Sequence, residues 1–333
     1  MKPYIIHLTP AIAKNNNFSN NLGDVIIYES ANEILSDLFK GMEIISMSTH
    51  EYPNKMDMRL IQQSHLSFVG GSNLLSSNII KYNQWKFNKH IWQYLLPSIK
   101  NINILGVGWW QYQNKPTRFT SHFYKTVFTK KNLLPVRDNY SLNQLRHCNI
   151  PNIINTSCPT TWKLNGLNTD KNINVDSCVF AITDYLTNSP LDNKLIEQLS
   201  YYYKKLYFFP QGAEDTQYLQ QLPAYTQYKE NISILPRDIN LLKIFLTENN
   251  RNINYIGTRL HLGIYCLQNN IPSLIIAIDN RATEMGADIR LPIIKRENIM
   301  DIKKWIENNV SNNFIHLPVH NIERWKNQFI EYL

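Results

Sequence analysis

Asn254-Tyr-Ile-Gly-Thr-Arg-Leu-His261-Leu-Gly263 places a fixed cation and a titratable imidazole where a short apolar strand turns into a helix. The apolar run Ile253–Ile256 stops at Gly257. Beyond it Leu260, Ile264 and Leu267 recur at i, i+4 and i+7, the stripe of a helix that buries one face. This reading puts Arg259 and His261 in the first helical turn, beside backbone N–H groups that lack intrahelical acceptors and at the positive end of the helix dipole. Arginine grips carboxylate or phosphate with a rigid fork, and histidine exchanges a proton near neutral pH. Taken alone, the same residues also suit an arginine holding a surface carboxylate and a histidine filling a core gap.

Working outward, apolar β-prone runs alternate with helix-period stretches along most of the chain. Strands are expected at Tyr4–Leu8, Glu43–Met47, His65–Val69, Ile102–Val107 and Leu134–Val136 in the first half. In the second half they fall at Cys178–Ile182, Leu206–Phe209, Ile232–Leu235, Ile253–Ile256 and Leu274–Ile278. Ile27, Ala31, Ile34, Leu35 and Leu38 form one helical stripe, and Leu142 with Leu145 begins a shorter one. Such alternation argues for an α/β protein with two parallel sheets, one per half, each covered on both faces. The polar stretch Asn155–Asn174, broken by Pro159 and Gly166, is the expected boundary, giving domains 1–160 and 161–333. Helical segments at Ile302–Val310 and Ile322–Leu333 cap the second half or cross back to the first.

Bulk properties agree with a folded protein. The chain has 333 residues, 43% hydrophobic and 18% charged, enough to bury a large core in two domains. Asparagine is abundant, including Asn15–Asn17, but lies scattered among apolar runs and makes no low-complexity tract. No repeat of solenoid length is present. A net charge of +8 suits an anionic substrate, an acidic lipid surface or nucleic acid without choosing among them. The apolar part of Met1–Pro10 is too short for a signal peptide, and no apolar run is long enough to span a bilayer. Cys148, Cys158, Cys178 and Cys266 are widely spaced, which disfavours a disulfide frame or a zinc knuckle. A cytoplasmic protein is expected.

Four polar groups fall at the carboxyl ends of expected strands, the edge where open α/β sheets bind ligands. Asn21, Gly23 and Asp24 precede the first helix, and Gly70, Gly71, Ser72 and Asn73 follow the strand ending at Val69. Arg137 and Asp138 follow Val136, and Arg259 and His261 follow Ile256. Asp24 and Asp138 also suit helix caps, and Gly70-Gly71 an ordinary tight turn. Capping does not account for the arginine beside Asp138, nor for four polar corners. Gly106-Val-Gly108-Trp-Trp-Gln111 begins like a dinucleotide fingerprint but carries glutamine at the third glycine position. A phosphate-loop lysine motif, His-Glu-x-x-His, a serine elbow and an Asp-x-Asp pair are all missing from the sequence, so metal-dependent nucleotidyl chemistry has no support.

The assembled corners resemble the polysaccharide pyruvyl transferase family. The matching pieces are Asn21-Leu-Gly-Asp24, Gly70-Gly-Ser-Asn-Leu-Leu75, Val136-Arg-Asp-Asn-Tyr-Ser141 and Ile256-Gly-Thr-Arg-Leu-His261. Weaker ones are Pro210-Gln-Gly-Ala-Glu-Asp215 and Ile278-Asp-Asn-Arg281. They span nearly the whole chain in the family's order. Ser72 stands where a third glycine is common, and Arg281 where lysine is common. The resemblance implies two Rossmann-like domains of glycosyltransferase-B type facing a central cleft, with the N-terminal domain on the acceptor side and the C-terminal domain on the donor side. It implies transfer of the enolpyruvyl unit of phosphoenolpyruvate to a sugar of a cell-surface polysaccharide or its precursor, leaving a pyruvate ketal, with no cofactor.

By that resemblance Arg137, Arg259 and His261 map onto donor-binding positions, and Leu260, Asn21, Gly70, Gly71, Asn73, Asp215 and Arg281 join the substrate-binding set. The chemistry suits these residue types. Phosphoenolpyruvate carries a carboxylate and a phosphate that two arginines from separate domains can clamp. His261 can deliver the proton that makes the enol carbon electrophilic, and Asp24 or Asp215 can take a hydroxyl proton. Tyr112–Lys131 mixes Lys115, Arg118, His122, Lys125, Lys130 and Lys131 with Phe119, Phe123, Tyr124 and Phe128. That mixture suits a sugar platform beside a lipid-linked acceptor with peripheral membrane contact, or else plain helix packing. The rival readings are a nucleotide-sugar glycosyltransferase of the same architecture and a non-catalytic polyanion binder; no nucleic-acid module is recognisable.

Overall fold

The computed structural model describes residues 3–12, 19–167, 175–250, 252–307 and 314–332. Contacts divide the chain into two units. The first comprises Met1–Ser19, Asp24–Trp162 and Leu317–Leu333, and the second Asn20–Gly23 and Lys163–His316.

The first unit is built on β1 (Tyr4–Thr9), β2 (Glu43–Ser48), β3 (Leu66–Gly70) and β4 (Ile102–Leu105), in the order β2-β1-β3-β4 with every pair parallel. Alternation along β1 assigns its faces. Tyr4, Ile6 and Leu8 enter one core cluster, while Ile5 enters a second with Ala31, Leu35 and Leu38 of the helix Leu22–Leu38. That two-sided burial explains why β1 reads as a continuous apolar run. β5 (Leu134–Val136) and β6 (Ile153–Asn155) form a parallel pair, and a Val107–Val136 bridge continues the sheet from β4. The closing segment belongs to this unit through Trp325 and Phe329, both buried. Phe329 stands edge-on to Phe68 at 5.7 Å and to Phe39 at 5.3 Å.

The second unit carries β7 (Ser177–Ala181), β8 (Lys205–Phe208), β9 (Ile232–Ile234), β10 (Ile253–Gly257), β11 (Ser273–Ala277) and β12 (Ile293–Lys295), all parallel. Their order is β12-β11-β10-β7-β8-β9, so the winding reverses between β7 and β10. This is the doubly wound arrangement in which ligands gather at the carboxyl ends flanking the reversal. In the first unit the same reversal lies between β1 and β3. All four cysteines are buried and free.

The ten strands expected from sequence form within one or two residues of their bounds. β6 and β12 escaped the sequence reading. The expected helix Ile302–Val310 covers Ile302–Glu307, its last residues lying outside those described, and the expected Ile322–Leu333 is a helix Val319–Asn327 followed by a short 3₁₀ turn. The basic and aromatic stretch Tyr112–Lys131 does not form an aromatic platform. It holds a helix, Arg118–Val127, that turns Phe123, Tyr124 and Val127 into the core, and buried Phe128 stacks on Tyr124 at 5.2 Å.

Candidate active site

In the second unit, three strand ends converge on one guanidinium. Arg259 is the N-cap residue of the helix Leu260–Gln268, not a member of its first turn as the stripe suggested, and its side chain makes no cap bond. It turns back instead to Asp215. Nε donates to Asp215 Oδ2 at 3.0 Å, and Nη2 donates to Asp215 Oδ1. Nη2 also donates to Asp184 Oδ1, 2.9 Å away, from the segment after β7. Gly212 makes this close approach possible, because a Cβ there would sit 2.2 Å from Arg259 Nη2. Burial opposes the guanidinium's charge, but Asp215, with Tyr185 and Asp184, outweighs it and raises its pKa above the usual value. None of these contacts uses Nη1.

Asp215 cannot serve as a free base in this arrangement. It is fully buried and also accepts the N–H groups of Gly212 at 2.7 Å and Asp184 at 3.0 Å. Tyr185 lies between two cations, with the Arg259 guanidinium 5.0 Å and that of Arg281 5.8 Å from its ring centre. Arg281 donates to the Tyr185 hydroxyl and pairs with Asp279 at 2.6 Å, and Asp279 caps the helix Asn280–Ile289. Three carboxylates thus face two guanidiniums in this corner. Leu260 and His261 open the helix after Arg259, both buried, so their backbone N–H groups lie in its first turn. Asn21 belongs to this unit as well. Its Oδ1 accepts from Gly23 N at 3.0 Å and from Gln211 Nε2 at 2.9 Å, joining the sequence piece at 21–24 to the piece at 210–215.

The first unit has its own arginine corner. Arg137, directly after β5, is enclosed. Nε donates to Asp138 Oδ2 at 3.0 Å and Nη1 to Asn73 Oδ1 at 2.8 Å. Nη2 lies 3.0 Å from Asp138 Oδ2 as an ion pair, yet makes no hydrogen bond of normal geometry. Asp138 also caps the helix Asn139–His147 through Ser141 N at 2.7 Å, so both readings of that aspartate hold. Gly108 makes room here, since a Cβ there would meet Arg137 Nη2 at 2.2 Å. The second glycine of the pair that began like a dinucleotide fingerprint therefore seats an arginine, while the first, Gly106, lies against Pro159. At the β1/β3 reversal, Gly70 ends β3 and Gly71 and Ser72 follow with φ of 64° and 59°. That conformation favours glycine, which explains the glycine common at position 72; here the serine hydroxyl reaches Asp24 Oδ1 at 3.4 Å. Ser19 donates to the other Asp24 oxygen at 3.1 Å.

The structure brings together Asn73 with Arg137 and Asp215 with Arg259, each within one unit. Asp184 and Tyr185 complete the second corner and had no motif to announce them, whereas Asp279 lay within the piece Ile278–Arg281 without being singled out. Among the described residues, no three His, Cys, Asp or Glu side chains are grouped to hold a metal ion, and no helix is long and apolar enough to cross a membrane.

Comparison with known proteins agrees with this architecture. Residues 21–280 match the family model described as polysaccharide pyruvyl transferase. No curated protein sequence matches significantly. Among solved structures, UDP-GlcNAc 2-epimerase of Methanocaldococcus jannaschii, in complex with UDP-GlcNAc and UDP, superposes with a TM-score of 0.54 at 14% identity over 100% of both chains. The MnaA–UDP structure of S. aureus gives 0.57 at 10% identity over 94% of this chain and 92% of that one. UDP-N-acetylglucosamine 2-epimerase from Rickettsia bellii gives 0.54 at 10% identity over 100% and 96%. At such identities the likeness concerns the fold, two Rossmann-like domains of glycosyltransferase-B type.

Proposed function

The chain belongs to the polysaccharide pyruvyl transferase family and is accordingly a phosphoenolpyruvate-dependent pyruvyl transferase, and we propose that Arg259, Arg137 and His261 handle the donor in that reaction. The observation that carries this reading is the one-sided holding of Arg259. Asp215 fixes the Nε/Nη2 edge, which orients the fork and leaves Nη1 for an incoming anion. Asp184, partly exposed, is the displaceable partner, and the donor's carboxylate or phosphate takes its place. Arg137 carries the second guanidinium, held by Asp138 and Asn73, with Nη2 3.0 Å from Asp138 Oδ2 but making no hydrogen bond of normal geometry. In this reading the second unit serves the donor side and the first the acceptor side.

His261 delivers a proton to the methylene carbon, and an acceptor hydroxyl bonds to the adjacent carbon. A second hydroxyl then attacks that carbon, its bond to the phosphate oxygen breaks, and inorganic phosphate leaves as the ketal ring closes. Asp24, in the first unit, accepts the proton of one hydroxyl, and that of the other returns to His261. Gly70, Gly71, Asn73 and Asn21 shape the surrounding loops, Leu260 contributes its backbone N–H, and Arg281 braces Tyr185 against Arg259. The acceptor is a saccharide of the cell envelope or its precursor, reached from the cytoplasmic side with peripheral contact to the membrane.

A thermal-shift comparison of phosphoenolpyruvate with a panel of sugar nucleotides tests the donor assignment. A ligand that binds only the native state raises the melting temperature by mass action. Stabilisation by phosphoenolpyruvate that disappears in Arg259→Ala supports the reading; stabilisation by a sugar nucleotide alone overturns it in favour of a glycosyltransferase.

A further inference from the structure

The positive charge of this protein is not spread along it. From Met58 to Arg137 the sequence contains eleven Lys and Arg residues and no Asp or Glu, leaving 23 basic against 26 acidic residues in the remainder. The whole excess of +8 therefore arises in one part of the first unit. Within that span, large apolar side chains point outward. Ile91 is 59% exposed, Trp92 54%, Leu95 46% and Leu96 75%, all on or beside the short helix Trp92–Leu95.

This turn is firmly based. Tyr94, on its inner side, is buried against Phe87 at 5.7 Å and Phe123 at 5.1 Å, and Phe87 meets Phe123 at 4.9 Å. The aromatic cluster holds the four outer side chains up from below. Basic groups frame them. Lys89 and His90 precede the turn and Lys100 follows it, all exposed. His122 Nε2 donates to Leu95 O at 2.9 Å, which brings the helix Arg118–Val127 alongside. Arg118, His122 and Lys125 form the exposed stripe of that helix at i, i+4 and i+7.

Contiguous exposed Trp, Leu and Ile ringed by lysine, arginine and histidine, with no carboxylate in the span, is the composition of a surface that sits in a lipid headgroup layer. A polynucleotide-binding face shares the charge but has no use for exposed aliphatic side chains. We propose that the Ile91–Leu96 turn, with the Arg118–Lys125 stripe, docks this protein onto a bilayer carrying anionic headgroups. It rests on the reading above only in supplying the place where the peripheral contact forms.

The test uses the full chain and vesicles of phosphatidylcholine, with and without phosphatidylglycerol. Sedimentation should show association with the anionic vesicles and little with the neutral ones, weakening as salt is raised. Trp92→Ser with Leu96→Ser, and separately Arg118→Glu with Lys125→Glu, should each weaken vesicle binding at least about tenfold. All four residues lie outside the donor corners, so pyruvyl transfer to a soluble acceptor should persist. That separates failure of this docking surface from failure of the catalytic assignment. Equal binding to both vesicle types, unchanged binding in the Trp92/Leu96 variant, or preferential capture of single-stranded RNA by the same residues overturns the proposal.

Discussion

Mild acid should destabilise the first unit through His7. It lies on β1 with no solvent exposure, stacked on Tyr28 at 5.3 Å and so close to Gly70 that a Cβ there would sit 2.3 Å from Nε2. Neither ring nitrogen makes a hydrogen bond of normal geometry. Burial pushes its pKa down from 6.5 to about 4, with nearby Asn32 pulling weakly the other way. The unfolded chain therefore takes up a proton near pH 6.5 that the native protein refuses until about pH 4. Stability from the neutral imidazole is intact above pH 6.5 and is lost as the pH falls towards 4, at about 1.4 kcal/mol per pH unit. The whole loss is about 3 kcal/mol, of which about 2 fall between pH 7 and pH 5. Urea unfolding followed from pH 7.5 to 5 in wild type and in His7→Leu checks this, because acid-titrating carboxylates common to both cancel in the difference. The leucine variant should be less destabilised by acid by about 2 kcal/mol. Parallel pH profiles for the two proteins would refute a buried, neutral histidine beneath the Gly70 turn.

The two arginine corners give further expectations. Arg259→Ala should weaken phosphoenolpyruvate binding by roughly ten- to 150-fold, the loss of a charged hydrogen bond, as read by calorimetry. Asp184→Asn should instead tighten it, by up to about fivefold, because the partly exposed carboxylate competes for the same guanidinium; weaker binding would show that Asp184 helps hold the donor. Asp215→Ala strands a buried cation and should cost about 3–5 kcal/mol in chemical denaturation, whereas Arg259→Met combined with Asp215→Leu should restore most of that stability while binding no donor. Gly108→Ala drives a methyl into Arg137 and should lower donor affinity; if affinity is unchanged, Arg137 lies outside the donor site.

Much of this was legible in the sequence, and the reasons for the rest are physical. Strands buried on both faces, such as Tyr4–Thr9 and Ile253–Gly257, announce themselves as apolar runs bounded by turns. β6 and β12 have only three residues each, and β12 is only partly buried, too little to establish a pattern. Arg259 and Arg137 were visible because strand-to-helix corners concentrate ligand contacts. Their partners were not equally so. Asp138 adjoins Arg137 in sequence, but Asp184 lies 75 residues from Arg259 and Asp215 lies 44, and no local periodicity encodes such pairing. The space each guanidinium needs is likewise encoded remotely, by Gly108 and Gly212.

The electrostatics of the two corners bear on why such pairs are kept. A buried ion pair contributes little net stability, since desolvating both charges offsets most of their attraction. Apolar side chains of similar volume would hold these loops as well. What apolar residues cannot do is fix a fork in one orientation with hydrogens left over. Asp215 binds one edge of Arg259, and Asp138 with Asn73 binds Arg137 so that Nη2, 3.0 Å from Asp138 Oδ2, makes no hydrogen bond of normal geometry. Both arrangements leave the guanidinium charge compensated but its hydrogen-bonding capacity incomplete. An anion arriving there meets donors already oriented, so less conformational freedom is lost on binding.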